Sequence, residues 1–140
     1  MSARVSLLIV AALAAAVGAT PAANAQRLRT PIVVTAGETG CYPGHIYNLQ
    51  TADGFLAVRA GPSTRDRRLD RLVNDDRVYT CLRSGRWIGI VYAPRGSTID
   101  CGVHQAWPAT RRYAGPCRTG WVHRNFVGVA DLFDDELGGD

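Results

Sequence analysis

The stretch FLAVRAGPSTRDRRLDRLVNDDRVYTCLRSGRWIGIVY, residues 55–92, decides the fold. Its first five residues place Leu56 and Val58 on one face, and the segment stops at Gly61-Pro62, which is typical of a strand followed by a loop. An Arg-dense polar loop follows at 61–68, and a second turn lies at 74–76. Residues 77–82 and 86–92 are rich in β-branched and aromatic residues and flank Arg83-Ser84-Gly85, so they predict a β-hairpin.

Further short strands lie on both sides of this stretch. Residues 120–122 and 126–129 predict two strands downstream, and residues 41–47 and 32–34 predict an opening strand and a short leader strand upstream. No run of helical period interrupts them. The sequence therefore predicts an all-β fold, a small antiparallel barrel of five to six short strands. The alternation predicts this core: Leu56, Val58, Leu72, Val78, Ile88, Ile90, Val122 and Val127.

Four segments carry a family resemblance: VRAGPS at 58–63, DDRV at 75–78, GRW at 85–87 and GWVHRNFV at 120–127. In this order they resemble a bacterial SH3-like domain over residues 55–127. The resemblance implies an SH3-like barrel that serves as a non-catalytic recognition module for cell-wall peptides or other proteins. Two features depart from the family pattern: the insert at 93–118 is much longer than usual, and all four cysteines are extra.

The chain divides into four parts. Arg4, an apolar run of fifteen residues and Ala23-Asn24-Ala25 are typical of a secretory signal, whereas a membrane anchor would need about twenty apolar residues. We therefore expect a periplasmic or secreted protein without a membrane span. The predicted parts are a signal peptide (1–25), a leader with the opening strand (26–54), the SH3-like barrel (55–130, insert 93–118) and an acidic flexible tail (131–140).

Length and charge limit the function classes. A chain of 140 residues suffices for one small domain and excludes a multidomain enzyme. Residues 26–130 contain 15 Arg and 7 acidic residues, a balance of +8. Such a surface suits an anionic glycan, lipid, nucleic acid or acidic protein, or is simply solvated. Export argues against nucleic acid, so we expect no nucleic-acid partner.

The four cysteines predict two disulfides, because an exported protein meets an oxidising compartment. Of three possible pairings we favour Cys41–Cys81 and Cys101–Cys117, since the second pair brackets the irregular insert. The chain-entropy model gives such bonds about 4 and 3 kcal/mol. The alternative is a metal site that uses Cys41 with His45 and Cys101 with His104, but neither spacing matches a known finger pattern. We predict no metal and no cofactor.

Two groups of residues are candidates for ligand binding. The first is an aromatic and arginine surface of the barrel: Trp87, Tyr79, Tyr92 and Trp121, with Arg59, Arg65 and Arg67 at its rim. Trp87 is the strongest of these, and the alternative is that Trp121 and Tyr92 only cap the barrel. The second group lies on the stapled insert: Trp107, Arg111, Arg112 and Tyr113. Here the alternative is that Trp107 covers the barrel end.

An enzyme is not predicted. The only potential nucleophile is a Cys with His45, His104 or His123, and disulfide pairing removes it. The sequence predicts an exported, monomeric, non-catalytic binding module of the cell envelope that recognises cell-wall peptide or an envelope protein. The alternative is a secreted inhibitor or effector whose stapled basic loop engages an acidic cleft of a target protein.

Overall fold

The structure is a computed structural model that describes residue 18 and residues 29–129. The predicted signal peptide, apart from residue 18, and the predicted acidic tail lie outside the described residues. The elements are β1 (Val33–Val34), β2 (Tyr42–Ile46), β3 (Leu56–Arg59), β4 (Arg68–Leu72), β5 (Arg77–Ser84), β6 (Trp87–Tyr92), β7 (Arg111–Arg112), β8 (Arg118–His123), a 3-10 turn (Arg124–Phe126) and β9 (Val127–Val129). Every strand pair is antiparallel, so the predicted all-β antiparallel class is confirmed.

The described residues form nine strands, more than the five to six predicted. Strand β4 was missed because its sequence, RLDRL, contains no β-branched or aromatic residue. It forms because its backbone pairs with β3, where Leu56 lies opposite Leu72. The two-residue strands β1 and β7 pair with each other and connect the leader to the insert.

Seven strands form one sheet in the order β4-β3-β8-β6-β5-β2-β9. Leu72 of β4 and Val127 of β9 come from opposite ends of this order, yet both belong to one buried cluster. The sheet therefore curls around a shared first core. Seven of the eight predicted core residues are buried in it, and Ile88 is half-buried against it. Within the described residues β4 and β9 do not pair with each other, so no ladder closes the sheet into a ring.

A second core covers the outer face of the sheet. Its buried residues come from the leader, the insert and the sheet itself: Ile32, Val34, Cys41, Val91, Cys101, Val103, Cys117 and Trp121. Strand β6 consequently has both faces covered, with Ile90 in the first core and Val91 in the second. The leader and the insert thus form a second layer.

Both predicted disulfides are confirmed. Cys41 pairs with Cys81 and Cys101 pairs with Cys117, with Cα atoms 4.4 and 5.4 Å apart. Cys41, Cys101 and Cys117 are buried in the second core, and Cys81 packs against it. The first bond joins the residue before β2 to the neighbouring strand β5, and the second closes a loop within the insert.

Candidate functional site

A cleft of about 580 Å³ opens beside strand β4. Its other wall comes from the end of β6, the start of β8 and the loop after β6. We call it the arginine cleft and define it by these side chains: Arg68, Asp70, Arg71, Tyr92, Arg95 and Arg118. Four of these six residues carry a guanidinium, so the cleft is electropositive.

Local geometry brings these distant residues together. Tyr92 and Arg118 lie opposite each other in the β6–β8 ladder. Leu72 packs in the first core together with Tyr92. Asp70 precedes Leu72 by two residues and so shares its face of the strand, which places its carboxylate within reach of the Tyr92 hydroxyl.

A hydrogen-bonded carboxylate forms the floor of the arginine cleft. Asp70 Oδ2 accepts from the Tyr92 hydroxyl at 2.9 Å and from Arg118 Nη1 at 3.0 Å, and Asp70 Oδ1 accepts from the Arg71 backbone N–H at 2.8 Å. Burial opposes ionisation, but these hydrogen bonds and the Arg118 charge together hold the pKa of Asp70 below its usual value. Burial and the neighbouring carboxylate raise the pKa of Tyr92. At neutral pH Asp70 is therefore ionised and Tyr92 protonated.

Two guanidinium groups of the arginine cleft lie over one aromatic ring. The Cζ atoms of Arg68 and Arg71 are 5.3 and 4.4 Å from the centroid of the Phe55 ring, which is 39% exposed. Among the described residues neither arginine forms an ion pair, whereas Arg95 pairs with Asp76 at 2.9 Å. Cation–π contact orients the two groups but does not neutralise them. The arrangement can therefore accept an anion.

A second cavity of about 450 Å³ adjoins the arginine cleft. The two cavities share Leu69, Asp70, Tyr92 and Arg118 in their walls. Arg29 enters the second cavity and donates from Nη2 to the carbonyl oxygen of Thr119 at 3.2 Å. A ligand that fills both cavities would pass over the Asp70 carboxylate.

The four predicted barrel aromatics lie in different places. Only Tyr92 lines the arginine cleft, and only 3% of it is exposed. Trp121 is 2% exposed and donates from Nε1 to the carbonyl oxygen of Thr30 at 2.9 Å, which is a packing role. Trp87 and Tyr79 are half-buried against the second core.

The contacts of Trp87 and Tyr79 separate them from the cleft. Trp87 meets His123 edge-on, with centroids 5.7 Å apart, at the opposite end of β6 from Tyr92. Tyr79 stacks on His104 of the insert at 6.1 Å. The predicted aromatic surface is therefore not one continuous patch.

Of the predicted rim arginines, Arg59 ends β3, and Arg65 and Arg67 lie in the loop between β3 and β4. Arg59 is half-buried and donates from Nη1 to the carbonyl oxygen of Asp66 at 3.0 Å. Arg65 and Arg67 are exposed. The sequence prediction missed the charged cleft residues Arg68, Asp70, Arg71, Arg95 and Arg118. The signal that could have found three of them is RLDRL, in which charged residues flank apolar ones just after the Arg-dense loop.

The candidates on the insert divide into exposed and packed residues. Arg111 and Arg112 are exposed on β7, and the Arg111 guanidinium lies 4.8 Å from the Trp107 ring centroid. Trp107 is half-buried against the second core and exchanges backbone hydrogen bonds with Gly37. The Tyr113 hydroxyl donates to the carbonyl oxygen of Cys101 at 2.9 Å, which braces the loop.

Disulfide bonding occupies the sulfur atoms that the metal and nucleophile alternatives require. In the described part of the chain all four cysteines form disulfides, Cys41 with Cys81 and Cys101 with Cys117. His104 instead lies 3.3 Å from the carbonyl oxygen of Cys41 through Nδ1, and His123 accepts the Asn125 backbone N–H. Over residues 29–129 no cluster of three His, Cys, Asp or Glu forms a candidate metal site. Within residues 29–129 no helix is long and apolar enough to cross a membrane.

Similarity to known proteins does not identify the chain. No family model, no curated protein and no solved structure matches it. The resemblance of residues 55–127 to bacterial SH3-like domains therefore stays a prediction. The arginine cleft supplies the geometry on which the proposed function rests.

Proposed function

We propose that this chain is a non-catalytic binding domain of the cell envelope that recognises carboxylates of a cell-wall peptide in the arginine cleft. One observation carries the proposal: Arg68 and Arg71 lie over the exposed Phe55 ring without an ion-pair partner among the described residues. A guanidinium stacked on a ring keeps its N–H edge free, and that edge matches a carboxylate with two parallel hydrogen bonds.

Binding suits the cleft better than acid–base catalysis. An efficient general acid or base has a pKa near the working pH. The pKa of Asp70 is lowered and that of Tyr92 is raised, so both move away from neutrality. Three donors also hold the Asp70 carboxylate in place. Asp70 and Tyr92 are therefore suited to form a fixed wall of a binding site rather than to transfer protons.

The envelope location rests on the disulfides together with the predicted signal peptide. The chain contains two disulfides, and such bonds persist in oxidising compartments such as the periplasm or the extracellular space. Cell-wall peptides lie in the same compartments and carry free carboxylates. Location and cleft chemistry thus favour the same class of ligand.

Retention of the purified, oxidised protein on isolated peptidoglycan sacculi tests the proposal. The double variant R68Q/R71Q should lose at least about tenfold in retention at low and at moderate salt, because each charged hydrogen bond contributes about 1.5–3 kcal/mol. Arg124→Gln is the control for one lost exposed charge: Arg124 follows β8, whose far end lies about 17 Å from Arg118. An equal loss of retention in R68Q/R71Q and Arg124→Gln would show that the protein binds sacculi by non-specific charge attraction, which would contradict the proposal.

Trp87→Ala separates the cleft from the surface predicted around Trp87. That side chain lies at the far end of β6, so its loss should leave retention unchanged in a protein that remains folded. If Trp87→Ala abolishes retention while R68Q/R71Q does not, the ligand binds near Trp87 and not in the arginine cleft.

The exposed arginines of β7 favour a second candidate function, a secreted inhibitor or effector whose stapled loop enters an acidic cleft of a target protein. Arg111 is oriented by Trp107, and a disulfide closes the loop that carries both. Here R111Q/R112Q should abolish capture of an envelope protein while retention on sacculi is unchanged. The arginine cleft variants should have the opposite effect.

A further inference from the structure

We infer that the ligand of the arginine cleft carries two carboxylates, one on each side of Asp70. The inference rests on the proposed function and specifies its ligand. Two adjoining cavities of about 580 and 450 Å³ share Asp70, Tyr92 and Arg118. The first cavity also has three arginines of its own and the second has one, Arg29, so the site offers two separate positions for an anionic group.

Asp70 divides the two positions. Its carboxylate is ionised and held by Tyr92 and Arg118, and the side chain is 28% exposed. An acidic group placed directly over it would meet a like charge at short range. The ligand's acidic groups are therefore directed to either side, where the arginines lie.

The first position is formed by Arg68 and Arg71. Their Cζ atoms lie 5.3 and 4.4 Å from the centroid of the Phe55 ring, so one ring orients both guanidinium groups. Arg95 lines the same cavity but pairs with Asp76 at 2.9 Å. A carboxylate that accepts from either guanidinium would gain charge-assisted hydrogen bonds.

The second position is formed by Arg29. Its Nη2 donates to the carbonyl oxygen of Thr119 at 3.2 Å, which orients the guanidinium and leaves further N–H donors for a ligand. Among the described residues Arg29 forms no ion pair. One carboxylate would balance this single charge.

The space between the two positions selects a donor group. Asp70 Oδ1 accepts one hydrogen bond among the described residues, from the Arg71 backbone N–H, so it retains acceptor capacity. An amide N–H of the ligand can donate a hydrogen bond to Asp70 Oδ1, and the negative charge of the carboxylate strengthens this bond. The ligand class is thus a peptide with a carboxylate at each end and an amide N–H between them.

Three synthetic peptides with the same Ala-Ala sequence test the inference by calorimetry. Acetyl-Ala-Ala-amide carries no carboxylate, acetyl-Ala-Ala carries one, and succinyl-Ala-Ala carries one at each end. We expect succinyl-Ala-Ala to bind at least about tenfold more tightly than acetyl-Ala-Ala, and the amide to show no measurable binding. In Arg29→Gln the two acidic peptides should bind equally, while the affinity for acetyl-Ala-Ala stays that of the unsubstituted protein.

The outcomes separate the inference from the proposed function. Arg124→Gln, outside both cavities, should keep the tenfold preference. Equal binding of the two acidic peptides to the unsubstituted protein, or a preference that survives Arg29→Gln, would overturn the two-carboxylate inference and leave the proposed function intact. Absence of binding of all three peptides, together with sacculus retention that R68Q/R71Q does not reduce, would overturn the proposed function itself.

Discussion

The Tyr92 hydroxyl donates a 2.9 Å hydrogen bond to Asp70 Oδ2 and so connects the end of β6 with the edge strand β4, 22 positions earlier in the sequence. The Tyr92 ring is buried in the first core, whereas Asp70 forms the floor of the arginine cleft. A single contact therefore links the stability of the core to the geometry of the candidate site.

Tyr92→Phe tests this link. The ring and its packing stay, but the half-buried Asp70 carboxylate loses one of three donors, so the free energy of unfolding should fall by about 1.5–3 kcal/mol. Urea denaturation at neutral pH measures the loss. Tyr42→Phe is the control, because Tyr42 is 45% exposed and its change should fall within about 0.5 kcal/mol. A similar small loss in both variants would show that the Tyr92–Asp70 bond adds nothing to stability.

The pH dependence of stability should report the ionised Asp70. Its pKa in the folded protein lies below the ordinary 3.8, so the folded state favours the carboxylate. This stabilisation is complete above the unfolded-state pKa and disappears as the pH falls through the folded-state pKa. The difference in free energy of unfolding between the unsubstituted protein and Asp70→Asn should accordingly be constant near neutral pH and shrink in acid. A difference that stays the same down to the acid limit would mean that Asp70 is not the group responsible.

Loss of the insert disulfide should destabilise the outer layer. Cys101 and Cys117 close a loop with a sequence separation of 16, for which the chain-entropy model gives at most about 3 kcal/mol. Replacing both by Ser should lower the free energy of unfolding by up to this amount, measured under oxidising conditions. The same replacement of Cys41 and Cys81, separated by 40 positions, should cost up to about 4 kcal/mol. A larger loss from the insert pair would show that packing of the two sulfurs outweighs the entropy of loop closure.

Gly120→Ala tests the close approach of β3 and β8. A Cβ at position 120 would collide with the Val58 side chain and come within 3.1 Å of the Arg59 carbonyl oxygen, so Ala should cost about 1–3 kcal/mol. Gly37→Ala is the matched control, because the nearest atom there, the Thr39 carbonyl oxygen, is 3.8 Å from the added Cβ. Thermal unfolding of both variants gives the comparison, and equal midpoints would contradict the close contact.

Local patterns account for what the sequence alone determined. Alternation in residues 55–59 placed one strand of the sheet, and the β-branched and aromatic residues of 77–82 and 86–92 placed two more. Seven of eight core residues followed from the same rule. The even cysteine count and the irregular stretch between Cys101 and Cys117 led to both disulfide pairs.

The tertiary structure alone decided the second core and the candidate site. Residues 68–72 contain no β-branched or aromatic residue that would predict a strand, but pairing with β3 makes Arg68–Leu72 an edge strand. The leader and the insert cover Trp121, which local sequence could not distinguish from a binding aromatic. Asp70, Tyr92 and Arg118 are far apart in sequence and meet only because the sheet curls and brings β4 next to the ends of β6 and β8. Contacts across such separations leave no local pattern, so the arginine cleft exists only once the chain has folded.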